Sequence, residues 1–264
     1  MTELSQPSDT ASRKDGREST SQADEVRAER QAKQRPRSDE PTRLSESIQN
    51  PILHCRLSAD QLAERTRMVE LDGERRKAET HQRSVDALWA KCDAPARQRD
   101  RVEFENDEWL SSRAQLVGMV GSGSIIGLIG NRGNGKTQLA VEAMRESCEQ
   151  ERACKYVKAL DVFLAIREAY QDKAKTELQI VRTFEMPALL VIDELQERGE
   201  SAWEDRILTH IIDKRYAAMR DTILIANLTP DRFREQVGAS ISDRLRETGG
   251  IIPCTWGSFR KGMT

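Results

Sequence analysis

Aromatic residues make up only 5% of this 264-residue chain, while one third of its residues are charged. Large apolar side chains are therefore too few for every segment to fold into a core. No run of about 18 apolar residues occurs, and the N-terminus lacks the apolar centre of a signal peptide, which predicts a cytoplasmic protein with no membrane contact. The five cysteines, Cys55, Cys92, Cys148, Cys154 and Cys254, form no CxxC pair, and His54, His81 and His210 are far apart in the sequence. His54-Cys55 has no second pair at metal-ligand spacing, so a zinc site is not expected and the cysteines read as reduced thiols. The formal net charge of −2, from 42 basic and 44 acidic residues, excludes a global cationic field for nucleic acid. Any DNA contact must be local.

What is present is one strong motif. Gly130-Asn131-Arg132-Gly133-Asn134-Gly135-Lys136-Thr137 fits the phosphate-binding pattern GxxxxGK[ST] at every fixed position. Upstream, Ile125, Ile126, Leu128 and Ile129 read as a buried strand; downstream, Leu139, Ala140, Ala143 and Met144 recur at helical spacing. A glycine-rich loop between strand and helix turns successive backbone N–H groups inward, where they and the helix N-terminus hold phosphate oxygens. Lys136 then reaches the terminal phosphates, and the Thr137 hydroxyl is a ligand for Mg²⁺.

Residues 1–50 carry nine basic and ten acidic side chains among Ser, Gln and Pro, a composition that predicts a disordered tail. Ser58-Ala59-Asp60-Gln61 is a capping-box start for one or two thinly amphipathic helices, with a possible bend at Gly73. Their stripe of Leu62, Met68, Val69, Leu71, Ala78, Val85, Leu88 and Trp89 needs a partner surface, either the main domain or another molecule. Pro95 ends this region, and Arg97, Arg99 and Arg101 follow as a basic cluster that is either solvated or in contact with nucleic acid or nucleotide. Asn106 caps a further helix, which ends at Gly121-Ser122-Gly123.

Elements then alternate. Tyr156–Ala159 is a candidate strand, Asp161 a cap for a helix through Tyr170, and Thr176–Phe184 another helix. Ala188-Leu189-Leu190-Val191-Ile192-Asp193-Glu194 reads as a strand buried on both faces and ending in two acids. Ser201-Ala202-Trp203-Glu204 is a second capping box, opening a helix with Trp203, Ile207, Leu208, Ile211, Ile212, Ala217 and Met219 as its buried face. Thr222–Ala226 is a strand ending at Asn227, and Thr229-Pro230 starts the next helix. This alternation implies an α/β fold: a parallel sheet flanked by helices, with ligands at the carboxyl ends of the strands. There the loop, Asp193-Glu194 and Asn227 meet. Asp193 suits the metal through a water, Glu194 suits the attacking water as general base or orienter, and Asn227 suits that water or the γ-phosphate.

The chain resembles the AAA+ ATPases of the bacterial replicative helicase loader group (DnaC type), and is similar to the related ATPase helpers of transposition (IstB type). The resemblance lies in Cys92-Asp-Ala-Pro-Ala-Arg-Gln-Arg99, Gly130 to Ala140, Lys158 to Arg167, Leu189 to Glu194 with the Glu204–Arg215 helix, Ile241-Ser-Asp-Arg-Leu-Arg246, and Trp256-Gly-Ser-Phe-Arg260. It runs from about residue 88 to the C-terminus. It implies an AAA+ P-loop NTPase over 96–264, preceded by a helical partner-binding region and linker over 51–95. Two features depart from the family pattern: only ten residues follow Cys254, so no C-terminal lid domain is expected, and the polar 1–50 tail is not a family feature. The nucleotide site would span Gly130, Asn131, Arg132, Gly133, Asn134, Gly135, Lys136, Thr137 and Gln138, with ATP and Mg²⁺ as cofactors. The resemblance also implies an arginine finger acting in trans in a homo-oligomer, with Arg244 the choice and Arg246 the near alternative; Arg260 is not assigned a sensor role. A hexameric replicative helicase and single-stranded DNA are the implied partners.

Overall fold

The computed structural model describes residues 58–100, 104–169, 176–199 and 201–259. The tail expected over 1–50, and with it Cys55, Arg101, Tyr170 and Arg260, lies outside those residues. Helix α1 spans Ala59–Lys91 in one piece and runs through Gly73 without a bend. Its start is the expected capping box: the Ser58 hydroxyl accepts from the Gln61 N–H at 3.2 Å, and the Gln61 carbonyl accepts from the Ser58 N–H at 2.9 Å. Glu, Arg, Ala and Gln favour helix enough to carry Gly73, whose interior position costs about 1 kcal/mol relative to Ala. None of its 33 residues is buried. Only the last turns dock, where Val85, Leu88 and Trp89 pack against the core and the Arg145 guanidinium sits 4.5 Å from the centre of the Trp89 ring.

Helix α2 (Asp107–Gly118) is capped by Asn106, whose side chain accepts from the Trp109 N–H. Strand β1 (Ile125–Gly130) leads through the phosphate-binding loop into α3 (Lys136–Glu149). Then follow β2 (Cys154–Lys158), α4 (Ala159–Ala169), α5 (Glu177–Glu185), β3 (Leu189–Asp193), α6 (Ala202–Ala217), β4 (Asp221–Ala226), α7 (Pro230–Thr248) and β5 (Gly250–Cys254). The strands form one parallel sheet in the order β2-β3-β4-β1-β5.

Side-chain alternation sends residues to both faces of the sheet. Ile126 and Leu128, Leu189 and Val191, and Ile223 and Ile225 join the core under α2 and α3. Ile125 and Ile129, Leu190 and Ile192, and Leu224 and Ala226 join the core under α4 to α7. The continuous apolar runs are thus explained by two covered faces, each fully buried Leu or Ile contributing about 1.5–3 kcal/mol of hydrophobic stabilisation.

Several local expectations need correction. Asp161 lies in the first turn of α4 and is not its cap, because β2 ends at Lys158 and α4 starts at Ala159. Ser201 does cap α6, but no reciprocal bond from Glu204 closes the box; the Glu204 carboxylate is engaged by Arg167 at 3.1 Å. The buried face of α6 ends in Arg215 instead of Ala217 and Met219. Arg215 is fully buried and donates to the Phe184, Glu185 and Pro187 carbonyls, whereas Met219 is 68% exposed. One charged side chain there satisfies several carbonyls at and just beyond the end of α5 that an apolar residue would leave unpaired. Strand β5 carries Pro253, which disguises it in the sequence. As an edge strand it tolerates a residue with no N–H to give.

Candidate nucleotide-hydrolysis site

The carboxyl ends of β1, β3 and β4 open on a cavity of about 510 Å³. Lys136, Thr137, Gln138, Asp193, Glu194 and Asn227 all line it, so the start of α3, the end of β3 and the residue after β4 deliver the residues that the sequence separates. Gly130 and Gly135 make the loop possible. Gly130 has φ 143°, and a Cβ there would collide with the Cys254 carbonyl; Gly135 has φ 77°, and its Cβ would sit 3.0 Å from the Trp109 indole nitrogen. Lys136 Nζ donates to the Gly130 carbonyl at 2.9 Å, the Asn131 carbonyl at 2.6 Å and Asn134 Oδ1 at 3.1 Å. The ammonium group is therefore folded back over the loop.

Asp193 is the hub of the acidic side. Its Oδ2 accepts from the Thr137 hydroxyl at 2.9 Å and from the Tyr156 phenol at 2.8 Å, while Oδ1 accepts from the Glu194 N–H at 2.7 Å. Burial, with the Asp193 charge next, raises the Tyr156 pKa, so the phenol stays protonated and remains a donor. Glu194 sits in the left-handed region at φ 56°, a conformation that costs a non-glycine residue on the order of 1–3 kcal/mol. Two bonds hold it there: its N–H to Asp193, and its carboxylate to Lys158 Nζ at 2.9 Å. The hydrogen bond to Glu194 is also the main cause of the raised Lys158 pKa.

Asn227 donates its backbone N–H to Gln196 Oε1 at 2.9 Å and so is tied to the loop after β3. Gln138 turns its amide toward the Gln98 and Asp100 carbonyls, pinning the segment after α1 to α3. Arg132 pairs with Glu197 at 3.1 Å on the surface, a contact of little energetic weight. Tyr156 and Lys158 were not singled out as site residues. Their signal was the alternation of β2, whose last residue, Lys158, lies in register with Asp193.

Arg244 stands apart from this group and does not line the cavity. It lies in α7 beyond a kink at Gly238, where φ is 80°. Its guanidinium pairs with Asp213 of α6 at 2.9 Å and lies 5.4 Å from the centre of the Tyr216 ring. A surface pairing would be expected with Asp243 or Glu247, but Asp243 is taken by Arg246.

The donor set fits a magnesium–nucleotide complex. Thr137 and Asp193 place two hard oxygen donors side by side, and Mg²⁺ takes one or two carboxylate or hydroxyl ligands plus phosphate oxygens and water rather than an all-protein cage. No cluster of three or more His, Cys, Asp or Glu side chains able to hold a metal occurs among the described residues. The four cysteines described are free and buried. No helix among the described residues is long and apolar enough to cross a membrane.

A phosphate-binding loop on the strand next but one to a strand ending in Asp-Glu, with both strands in a parallel five-stranded sheet, defines a P-loop NTPase of the AAA+ class. Comparison with known proteins places it more closely. The family model for IstB-like ATP binding proteins matches residues 54–263, and the chain belongs to that family. It is 26% identical over 167 residues to the replicative helicase loader DnaC of Escherichia coli strain K12, covering 62% of this chain and 68% of that protein. Among solved structures, the DnaC helicase loader superposes with a TM-score of 0.52 at 18% identity, over 60% of this chain and 99% of that one. DnaA from Aquifex aeolicus, solved with AMPPCP, superposes with a TM-score of 0.51 at 18% identity, over 61% of this chain and 51% of that one. These two likenesses speak to the fold.

Proposed function

We propose that this chain is an Mg²⁺-dependent ATPase that delivers a hexameric replicative helicase onto single-stranded DNA, with ATP hydrolysis coupled to its release. The observation that carries the hydrolytic half is the meeting of Thr137, Asp193, Glu194 and Asn227 at one cavity. The loop N–H groups and Lys136 bind and orient the triphosphate. Thr137 and Asp193 hold Mg²⁺, which when bound neutralises charge on the β- and γ-phosphates. Glu194 accepts the proton of the attacking water, and Asn227 hydrogen-bonds that water or the γ-phosphate. Lys158 Nζ pairs with one oxygen of the Glu194 carboxylate, Oε2, at 2.9 Å, and a carboxylate has a second oxygen with which to take a proton.

The delivery half is supported by the similarity to the E. coli loader. In this reading the 51–95 region, most of which is the exposed α1, grips the helicase, and Arg244 of one subunit completes the nucleotide site of its neighbour in a homo-oligomer. The family match favours a second reading, an ATPase helper of DNA transposition with the same catalytic residues. Affinity purification of the full chain from its host decides between them. Nucleotide-dependent recovery of a hexameric helicase is expected; recovery of a transposase, with filaments on duplex DNA and no helicase, would overturn the loader reading.

A further inference from the structure

The hydrolytic residues are not the whole lining of the cavity. Phe104, from the segment before α2, and Phe259, from the segment after β5, are the aromatic residues that line it. Their rings stack with centroids 3.9 Å apart and an interplanar angle of 25°, and Trp109 meets Phe104 edge-on at 4.9 Å. The pair is anchored to the phosphate loop. The Phe259 N–H donates to the Gly133 carbonyl at 2.9 Å, the Trp256 indole donates to the Asn134 carbonyl at 2.7 Å, and the Phe259 ring lies where a Cβ on Gly135 would be 3.3 Å away. The aromatic pair is thus tied to the phosphate loop. Both rings are half-buried, and their separation leaves no room for a third ring between them.

We infer that the Phe104–Phe259 pair is the base-binding wall of this site: a purine base stacks on the face of the pair that borders the cavity while the loop holds its triphosphate. This rests on the nucleotide-site reading above and adds the part of the ligand that the phosphate loop cannot select. Stacking depends on ring area, so a two-ring purine is held better than a one-ring pyrimidine.

Calorimetric titration of the full chain with ATP, CTP and inorganic tripolyphosphate tests this. Phe259→Leu keeps apolar bulk and the backbone bond to Gly133 but removes the flat ring. It is expected to weaken ATP binding about tenfold, to weaken CTP binding less, and to leave tripolyphosphate binding unchanged. Phe104→Leu is expected to act in the same direction, and Phe259→Trp to retain ATP affinity. Wild-type affinity for ATP in both leucine variants would overturn the inference. So would an equal loss for ATP and tripolyphosphate, since the rings would then only shape the loop. Absence of ATP binding by the unaltered chain would instead overturn the nucleotide reading, and this inference with it.

Discussion

At the carboxyl ends of the strands, groups from β2, the start of α3 and β3 reach one another within single hydrogen bonds, and Asp193 alone gathers three donors. On the far part of α7, Arg244 has a different kind of environment: one carboxylate of α6, one tyrosine ring and no share in the cavity. The contrast separates what one chain assembles by folding from what needs a neighbour. Groups at strand ends are placed by sheet register and need no further event. An arginine held on a helix flank acts on a nucleotide only if another subunit brings its cavity there.

The sharpest way to break this comparison is to remove the base. Glu194→Gln is expected to lower turnover roughly a hundredfold to ten-thousandfold while ATP binding persists, as general base catalysis commonly contributes that much. Phosphate release and calorimetry on the same preparation check it, and an unchanged rate would reduce the chain to a nucleotide-dependent scaffold. Lys136→Ala comes next: loss of its charge-assisted contacts is expected to weaken ATP binding by roughly a hundredfold, read directly by titration. Arg244→Ala tests the other side. ATP affinity and the rate of isolated subunits should change by less than about twofold, whereas stimulation by assembly or DNA should disappear. Wild-type stimulation in that variant would remove Arg244 from the proposed trans site. The smallest effect is expected from Tyr156→Phe, which frees one lone pair of Asp193 without disturbing Thr137. A shift of about threefold in the Mg²⁺ concentration needed for nucleotide binding is expected, consistent with the loss of one net hydrogen bond. No shift would leave Tyr156 a packing residue.

The same division governs what the sequence made legible. Asp193-Glu194 and the loop could be read because each is a local pattern: an apolar run ending in acids, and glycines at fixed spacing around Lys136. Capping at Ser58 and Asn106 was readable for the same reason, since a cap is satisfied within three residues. Contacts that cross the fold could not be read. The apolar pattern of α6 points to Ala217 and Met219 as its buried end, yet Arg215 is buried there because α5 and β4 bring it orphan carbonyls. Tyr156 and Lys158 looked like ordinary strand residues until β2 and β3 were set in register. Strand β5 was hidden by Pro253, which only an edge position excuses. For Arg244 the resemblance supplied a role, whereas the fold supplies its resting partners, Asp213, the Tyr216 ring and the Ser240 carbonyl.

Helix α1 carries a mechanical consequence. Its outermost described contact with the rest of the domain is His81 against Glu151 at 3.1 Å. From His81 back to Ala59 a helix advances about 33 Å, so a tilt of about 10° at its docked end would sweep the Ser58 tip by about 6 Å. The docked end rests on Trp89, which Arg145 of α3 covers, and α3 begins at Lys136 in the phosphate loop. The phosphate loop and α1 are thus joined through α3 and one Arg145–Trp89 contact. A small tilt at that contact would become, at the Ser58 tip, a stroke of about one turn of helix.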